Sequence, residues 1–260
     1  MARTGVTAFP PSGLGDGNNS TRLLAADLDG TFLGDDRAMH ELWEDLDAFG
    51  ITLVFASGRH LPAIESLYDE WRTDRRADVC LCMVGTEVWW LEDGEYRFDD
   101  EWDAHLDDGW DRAAIGAALV GLPRLQPQPD EWQSQHKLSF FVPSHVEAAE
   151  VEQALTDDGH HVKVVWSSDC YLDILPHDAG KGGALTYVVG RLGIDPQHVA
   201  AAGDTGNDLD MMRAELGFNA IVVANATQEL RAMGGSHVYR AAAPHAAGIR
   251  EGLAALGWLA

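Results

Sequence analysis

Residues 23–31 read LLAADLDGT: an apolar run that stops on two carboxylates, Asp27 and Asp29, before a glycine. A short, continuous apolar run closed by turn residues reads as a strand buried on both faces. Working outward, the same unit recurs. A helical stretch over Met39–Phe49 carries Leu42, Leu46 and Phe49 at helical spacing. ITLVFAS (51–57) is a second apolar run, His60–Trp71 reads as a helix, and VCLCMVG (79–85) is a third run. After Gly180 the pattern resumes with a helix marked by Leu185, Val188, Val189 and Leu192. VAAAGD (199–204), AIVVAN (220–225), HVYRA (237–241) and a closing helix over Ala247–Leu256 follow. Strands alternating with helices indicate a parallel sheet covered on both sides.

The middle of the chain breaks this rhythm. Residues 89–130 are rich in Trp, Asp and Gly, with one helix expected over Arg112–Val120. KLSFFV (137–142), HVKVVWSS (161–168) and YLDIL (171–175) read as strands of a separate mixed sheet, with a helix over Val146–Leu155. The expected fold is a doubly wound, Rossmann-like α/β core (21–88 and 176–260) interrupted by an α+β domain (89–175). A flexible leader is expected over residues 1–20, which are dominated by Gly, Pro, Ser and Asn.

Composition narrows the class. The 260 residues are 46% hydrophobic and 23% charged, which fits a globular chain. No run of 18 apolar residues is present, so a transmembrane helix is not expected. Three cysteines do not make a disulfide scaffold, and Cys80 and Cys82 fall on one face of a strand as buried hydrophobes. Eighteen Lys and Arg against 42 Asp and Glu give a net charge of -24. Such a surface repels nucleic acid and anionic lipid, so neither is an expected partner. It also suits a high-salt interior, a hypothesis that equal activity and melting temperature in low and molar KCl would sink. The leader has no basic segment running into an apolar one, so a secretory signal is not expected. With unpaired thiols, a cytoplasmic location is the expectation.

In an open parallel sheet, ligands bind beyond the carboxyl ends of the strands. Asp27 and Asp29 stand at the first such end. They read as nucleophile and acid/base with a cation between them, or as plain turn formers. Mg2+ takes oxygen ligands, commonly one or two carboxylates plus a substrate phosphate. Ser57-Gly58-Arg59 follows the second run, where a hydroxyl and bare N–H groups can cradle phosphate. Gly180-Lys181-Gly182-Gly183 opens a helix, where a lysine opposes the helix dipole and is better explained by a phosphate. The spacing of a nucleotide-binding P-loop is absent, with Pro176 near the glycine position it needs. Asp204-Thr205-Gly206-Asn207-Asp208 follows the VAAAG run, and burying so many acids without a cation is costly. One mechanism accommodates these pieces. Asp27 attacks phosphorus. Mg2+ sits among Asp27, the carbonyl of Asp29, and Asp204, with Asp208 on its water. Ser57, Lys181 and Asn207 hold phosphate oxygens beside the backbone of Leu28, Asp29 and Gly58, and Asp29 shuttles the proton.

DLDGT, SGR, a lysine and GDTGND, in that order, resemble the haloacid dehalogenase superfamily of phosphatases. In that family an insertion between the second and third motifs is a C2-type cap. VGTEV (84–88), HKLSFFV (136–142), YLDILPHDAGKGGALTYV (171–188) and GDTGNDLDMM (203–212) are similar to its sucrose-phosphate phosphatase branch. The resemblance implies Mg2+-dependent release of phosphate from sucrose 6-phosphate through an aspartyl phosphate. It also implies a cap that reads the sugar, with Arg59, Glu87, His136, Lys137 and Asp173 as contact candidates. Trp89, Trp90, Trp102, Trp110 and Trp132 are available for stacking on sugar faces or for packing. The sequence departs from the branch in having Gly30 after Asp29, and Ala56 before Ser57. Alternative substrates are glucosylglycerol or mannosylglycerate phosphate, and a phosphosugar mutase is a third reading. A sugar-phosphate synthase is a candidate partner. A receiver-type phosphoacceptor and a silent binding module are the readings from other classes.

Overall fold

The structure, a computed structural model, describes residues 21–259 except 72, 123, 168 and 169. The expected leader lies outside the described residues. The first strands of the main sheet are β1 (Arg22–Ala26), β2 (Ile51–Ala56) and β3 (Val79–Cys82). They continue into β4 (Glu87–Glu92) and β5 (Glu95–Phe98). A second sheet holds β6 (Gln126–Pro127), β7 (Leu138–Phe141), β8 (Val162–Ser167) and β9 (Tyr171–Pro176). The chain then returns to the main sheet with β10 (Val199–Gly203), β11 (Asn219–Val222) and β12 (Val238–Arg240).

The main sheet has eight strands in the order β12-β11-β10-β1-β2-β3-β4-β5. Six run parallel, and β4 and β5 add an antiparallel hairpin at one edge. β1 and β10 are central neighbours, in register at Ala25–Ala201 and Ala26–Ala202. Their alanines keep the carboxyl ends of both strands free of bulk, and the site lies there. The helix Asp36–Phe49 starts on Asp35, whose carboxylate accepts from Ala38 N, and stops at Gly50 in a left-handed conformation. It buries Leu42 and Leu46, but Phe49, expected on the same face, is 41% exposed at the helix end.

The second sheet, β6-β7-β9-β8, is antiparallel. It carries the helices Arg112–Ala118 and His145–Asp157 and has its own apolar cluster around Ile115, Val151, Leu155, Leu172 and Ile174. The main core reaches further along the chain than composition suggested. Trp90, Tyr96, Trp102 and Leu106 belong to the main apolar cluster, and residues 89–98 lie in the main sheet. The hairpin turns on Asp93 and Gly94, both with positive φ, as an Asp-Gly turn requires. That dipeptide between VWWLE and EYRF was the signal for a hairpin. The surrounding Trp and acidic residues masked it.

Candidate active site

The loop after β1 is fixed from several sides. Asp27 N donates to Ala202 O on β10 at 3.0 Å, and Phe32 N returns to Asp27 O at 3.0 Å. Gly30 has φ +87, and a Cβ there would stand 2.3 Å from Asp204 Oδ2, so only glycine fits. Its carbonyl accepts from Asn225 Nδ2 at 2.7 Å and lies 2.8 Å from His245 Nδ1. Thr31 Oγ1 donates to Asp204 Oδ1 at 3.1 Å. Leu28 is buried in the core, so only its backbone is available to a ligand.

This loop brings Asp27 against Asp204 and Asp208, with carboxylate oxygens from all three within 4.8 Å of one another. Lys181 is completely buried beneath them. Its Nζ donates to Asp27 Oδ1 at 2.6 Å and to Asp208 Oδ1 at 2.7 Å. Asp208 Oδ2 accepts from the backbone N–H groups of Asp204 and Thr205, both at 3.0 Å. Burial pushes the Asp27 carboxyl up to about 8, Lys181 opposes the rise, and Asp208 adds to it. Burial and then Asp208 push Asp204 up to about 6. Burial lowers Lys181, yet Asp208 and Asp27 outweigh it and hold its pKa well above the ordinary value. Three carboxylates against one ammonium leave negative charge uncompensated. An all-oxygen set of this kind fits a hard divalent cation.

Lys181 was expected to face a phosphate oxygen. In the structure two of its three N–H bonds are committed to carboxylates. The flanking glycines have a packing origin. A Cβ at Gly182 would stand 2.1 Å from Asp210 O, and one at Gly183 1.9 Å from Asp178 O.

Asp29 turns away from the carboxylate cluster. Arg59 grips it from both nitrogens, Nε at 2.8 Å and Nη2 at 2.7 Å. Ser57 is buried, and its Oγ accepts from Arg59 N at 3.2 Å. A strained turn braces this loop: Met83 and Val84 have φ of 52° and 61°. Their N–H groups donate to Arg59 O and Ser57 O, each at 3.0 Å. Left-handed backbone at a β-branched residue is costly and marks a position held by its surroundings. Sequence reading had no signal for it.

A cavity of 590 Å³ joins the two sheets above these residues. The core contributes Asp27, Asp29, Ser57, Gly58, Arg59 and Asn207 to its wall, together with Met83 and Val84. The inserted unit contributes Gln128, Trp132, Lys137, Tyr171 and Asp173. Asn207 Oδ1 accepts from Thr205 Oγ1 at 2.9 Å, which fixes its amide at the rim. Lys137 Nζ lies 3.3 Å from Asp173 Oδ1, which also accepts from Ser139 Oγ at 2.5 Å.

Two expected sugar contacts lie elsewhere. Glu87 is off the wall, and its carboxylate accepts from Trp89 Nε1 at 3.0 Å. His136 is buried between Asp103 and Asp107, at 3.1 and 2.9 Å, tying the insertion to the helix Asp100–Leu106. Of the five tryptophans considered, Trp132 lines the cavity. Gln128 and Tyr171 were missed: one sits in a polar loop, the other opens a strand, and neither carries a distinguishing pattern.

A doubly wound sheet roofed by an inserted α+β unit is the fold of haloacid dehalogenase-like hydrolases, and this chain places its carboxylates and buried lysine at the carboxyl ends of that sheet. Within that class, a family profile described as Sucrose-6F-phosphate phosphohydrolase matches residues 20–257, and the chain belongs to this family. It is similar in structure to the sucrose-phosphatase of Synechocystis sp. PCC6803, solved in complex with sucrose and phosphate. The TM-score is 0.83 at 30% identity, covering 91% of this chain and 98% of that one. Probable sucrose-phosphatase 3a of Arabidopsis thaliana is 32% identical over 222 residues, 80% of this chain and 52% of that protein. The chain thus spans about half the length of the plant relatives it matches. Mannosylfructose-phosphate phosphatase of Agrobacterium fabrum is 32% identical over 240 residues, 89% of this chain and 95% of that protein.

Proposed function

We propose that the protein is a phosphoric monoester hydrolase that releases phosphate from sucrose 6-phosphate. The observation that carries the reading is Asp27. It is a buried carboxylate on the wall of a cavity whose opposite wall is polar and comes from the inserted unit. The Synechocystis relative, solved with sucrose and phosphate, supports the choice of substrate.

Asp27, Asp204 and Asp208 would hold the metal, Mg2+ on the chemistry of the oxygen set, with the carbonyl of Asp29 as a further ligand. When bound, the ion neutralises charge between a carboxylate and a phosphate dianion. Asp27 attacks phosphorus, a P–O bond to Asp27 forms, and the P–O bond to the sugar breaks. Asp29, released from Arg59 and protonated from solvent at its partly exposed position, gives that proton to the departing sugar oxygen, which leaves as a hydroxyl. It then takes a proton from the water that cleaves the aspartyl phosphate. Ser57, Gly58, Asn207 and the remaining N–H of Lys181 orient phosphate oxygens. The inserted unit acts as the cap, with Lys137, Asp173 and Gln128 reading sugar hydroxyls and Trp132 and Tyr171 offering apolar faces. A cytoplasmic enzyme receiving its substrate from a sugar-phosphate synthase completes the reading.

The full-length similarity to a mannosylfructose-phosphate phosphatase favours a second substrate of the same size. Mannose and glucose differ in the configuration of one hydroxyl, which cap residues alone would discriminate. Phosphate release from both sugar phosphates, with chelator and Asp27→Asn as controls, tests the assignment. Release from sucrose 6-phosphate that is abolished by both controls is the expected result. Full release in chelator, or in Asp27→Asn, contradicts it.

A further inference from the structure

The helix Lys181–Leu192 begins on Gly180, which has no side chain to cap it. The missing acceptor comes from another element. Asp210, in the short helix Leu209–Met212, accepts from Gly182 N through Oδ2 at 2.8 Å. A carboxylate there satisfies an otherwise unpaired helix N–H and lies favourably against the helix dipole. Asp210 also holds Lys163 of β8, with Nζ 3.3 Å from each carboxylate oxygen, and Arg213 at 3.3 Å. Lys163 Nζ donates in addition to Ala179 O, in the segment that leads from the inserted sheet back to the core. Both side chains of the pair are mostly buried. The fit is tight: a Cβ at Gly180 would stand 2.4 Å from Asp210 Oδ2 and 2.9 Å from Lys163 Nζ.

Lys163 therefore belongs to the inserted unit, while Asp210 sets the first turn of the helix that delivers Lys181 to Asp27. We propose that Lys163 and Asp210 are positioning residues that couple the placement of the inserted unit to the placement of Lys181. This rests on the phosphatase reading above. Neither residue is among those lining the cavity beside Asp27. When the inserted unit seats over the cavity, Lys163 draws on Asp210, and Asp210 holds the helix start. Small displacements matter at a reacting centre, where an error of about 1 Å costs roughly a hundredfold in rate.

The experiment measures sugar-phosphate turnover for Lys163→Met, Asp210→Asn, the double variant and Lys163→Arg. Hydrogen exchange in the peptide containing Gly182 is read in parallel. The expected result is a kcat lowered roughly ten- to a hundredfold in each single variant, with KM within about twofold. The double variant is no slower than Asp210→Asn alone, and Lys163→Arg recovers most of the rate. Exchange at the helix start is faster in Lys163→Met, although that substitution lies in the other unit. Multiplicative losses in the double variant, a loss of thermal stability with kcat intact, or a change confined to KM would overturn the coupling. If the wild type releases no phosphate, the phosphatase reading falls. The exchange data then decide the coupling alone: faster exchange in Lys163→Met supports it, and unchanged exchange overturns it.

Discussion

Arg59 holds the Asp29 carboxylate in a two-pronged grip, Nε to Oδ2 at 2.8 Å and Nη2 to Oδ1 at 2.7 Å, on the wall of the cavity that Asp27 also lines. The proposed proton carrier is thus in reach of the site but engaged by a cation. The pair is partly solvated, with side chains 35% and 58% exposed. Exposed pairs of this kind contribute about 0–1 kcal/mol. Asp29→Asn is therefore expected to lower kcat roughly 10²–10⁴-fold while leaving the melting temperature within a few degrees of the wild type. A steady-state assay beside a thermal melt checks both. A large melting shift would mean that Asp29 serves the fold rather than the reaction.

Lys181 is the electrostatic keystone. Removing a fully buried cation between two carboxylates typically destabilises by about 3–5 kcal/mol. Lys181→Met should unfold at markedly lower denaturant in metal-free buffer, and Mg2+ should recover part of the loss. A midpoint unchanged by the substitution would contradict the ion-pair geometry.

The raised carboxyls set a pH dependence with a definite sign. Asp27 and Asp204 bind protons more tightly when folded, at about 8 and about 6, than the value of 3.8 for a free side chain. Their contribution to the stability of the metal-free protein is fully present below about pH 4 and is lost as pH rises through 6 and then 8. A divalent cation needs the same carboxyls ionised. The stabilisation gained on adding Mg2+ should therefore grow between pH 5 and pH 8. Melts with and without chelator across that range test the claim, and a gain that shrinks with pH would refute it.

Lys137 and Asp173 face the cavity from the inserted unit and face each other at 3.3 Å. Lys137→Met and Asp173→Asn should each raise KM for the sugar phosphate about tenfold or more and change kcat by less than about threefold. That pattern marks binding shared by ground and transition states. An equal fall in kcat would move these residues into the chemistry.

The carboxyl ends of the core strands were legible because each apolar run stops on a chemically loaded loop. Asp27, Ser57, Lys181 and Asp204 could be picked out from local sequence alone. What local sequence could not give was direction. Asp29 and Arg59 lie 30 positions apart and read as separate motifs, yet the fold points them at each other. Glu87 and His136 carry the right functional groups for a sugar, but their hydrogen bonds turn them to Trp89 and to Asp103 and Asp107. Residues 89–106 were misread because hairpin and helix signals were diluted by tryptophans and acids whose burial only the tertiary fold decides. The strained turn at Met83 and Val84 has no local signature, since neither residue favours positive φ.

In the proposed reaction Asp27 carries the phosphoryl group. This is tested most directly by mixing protein, Mg2+ and excess sucrose 6-phosphate, quenching in acid within milliseconds, and mapping added phosphate by mass spectrometry. The expected result is one phosphate on the peptide containing Asp27, decaying as free phosphate appears, and none in Asp27→Asn. Phosphate released with no acyl phosphate on that peptide, or with phosphate on another residue, would contradict it.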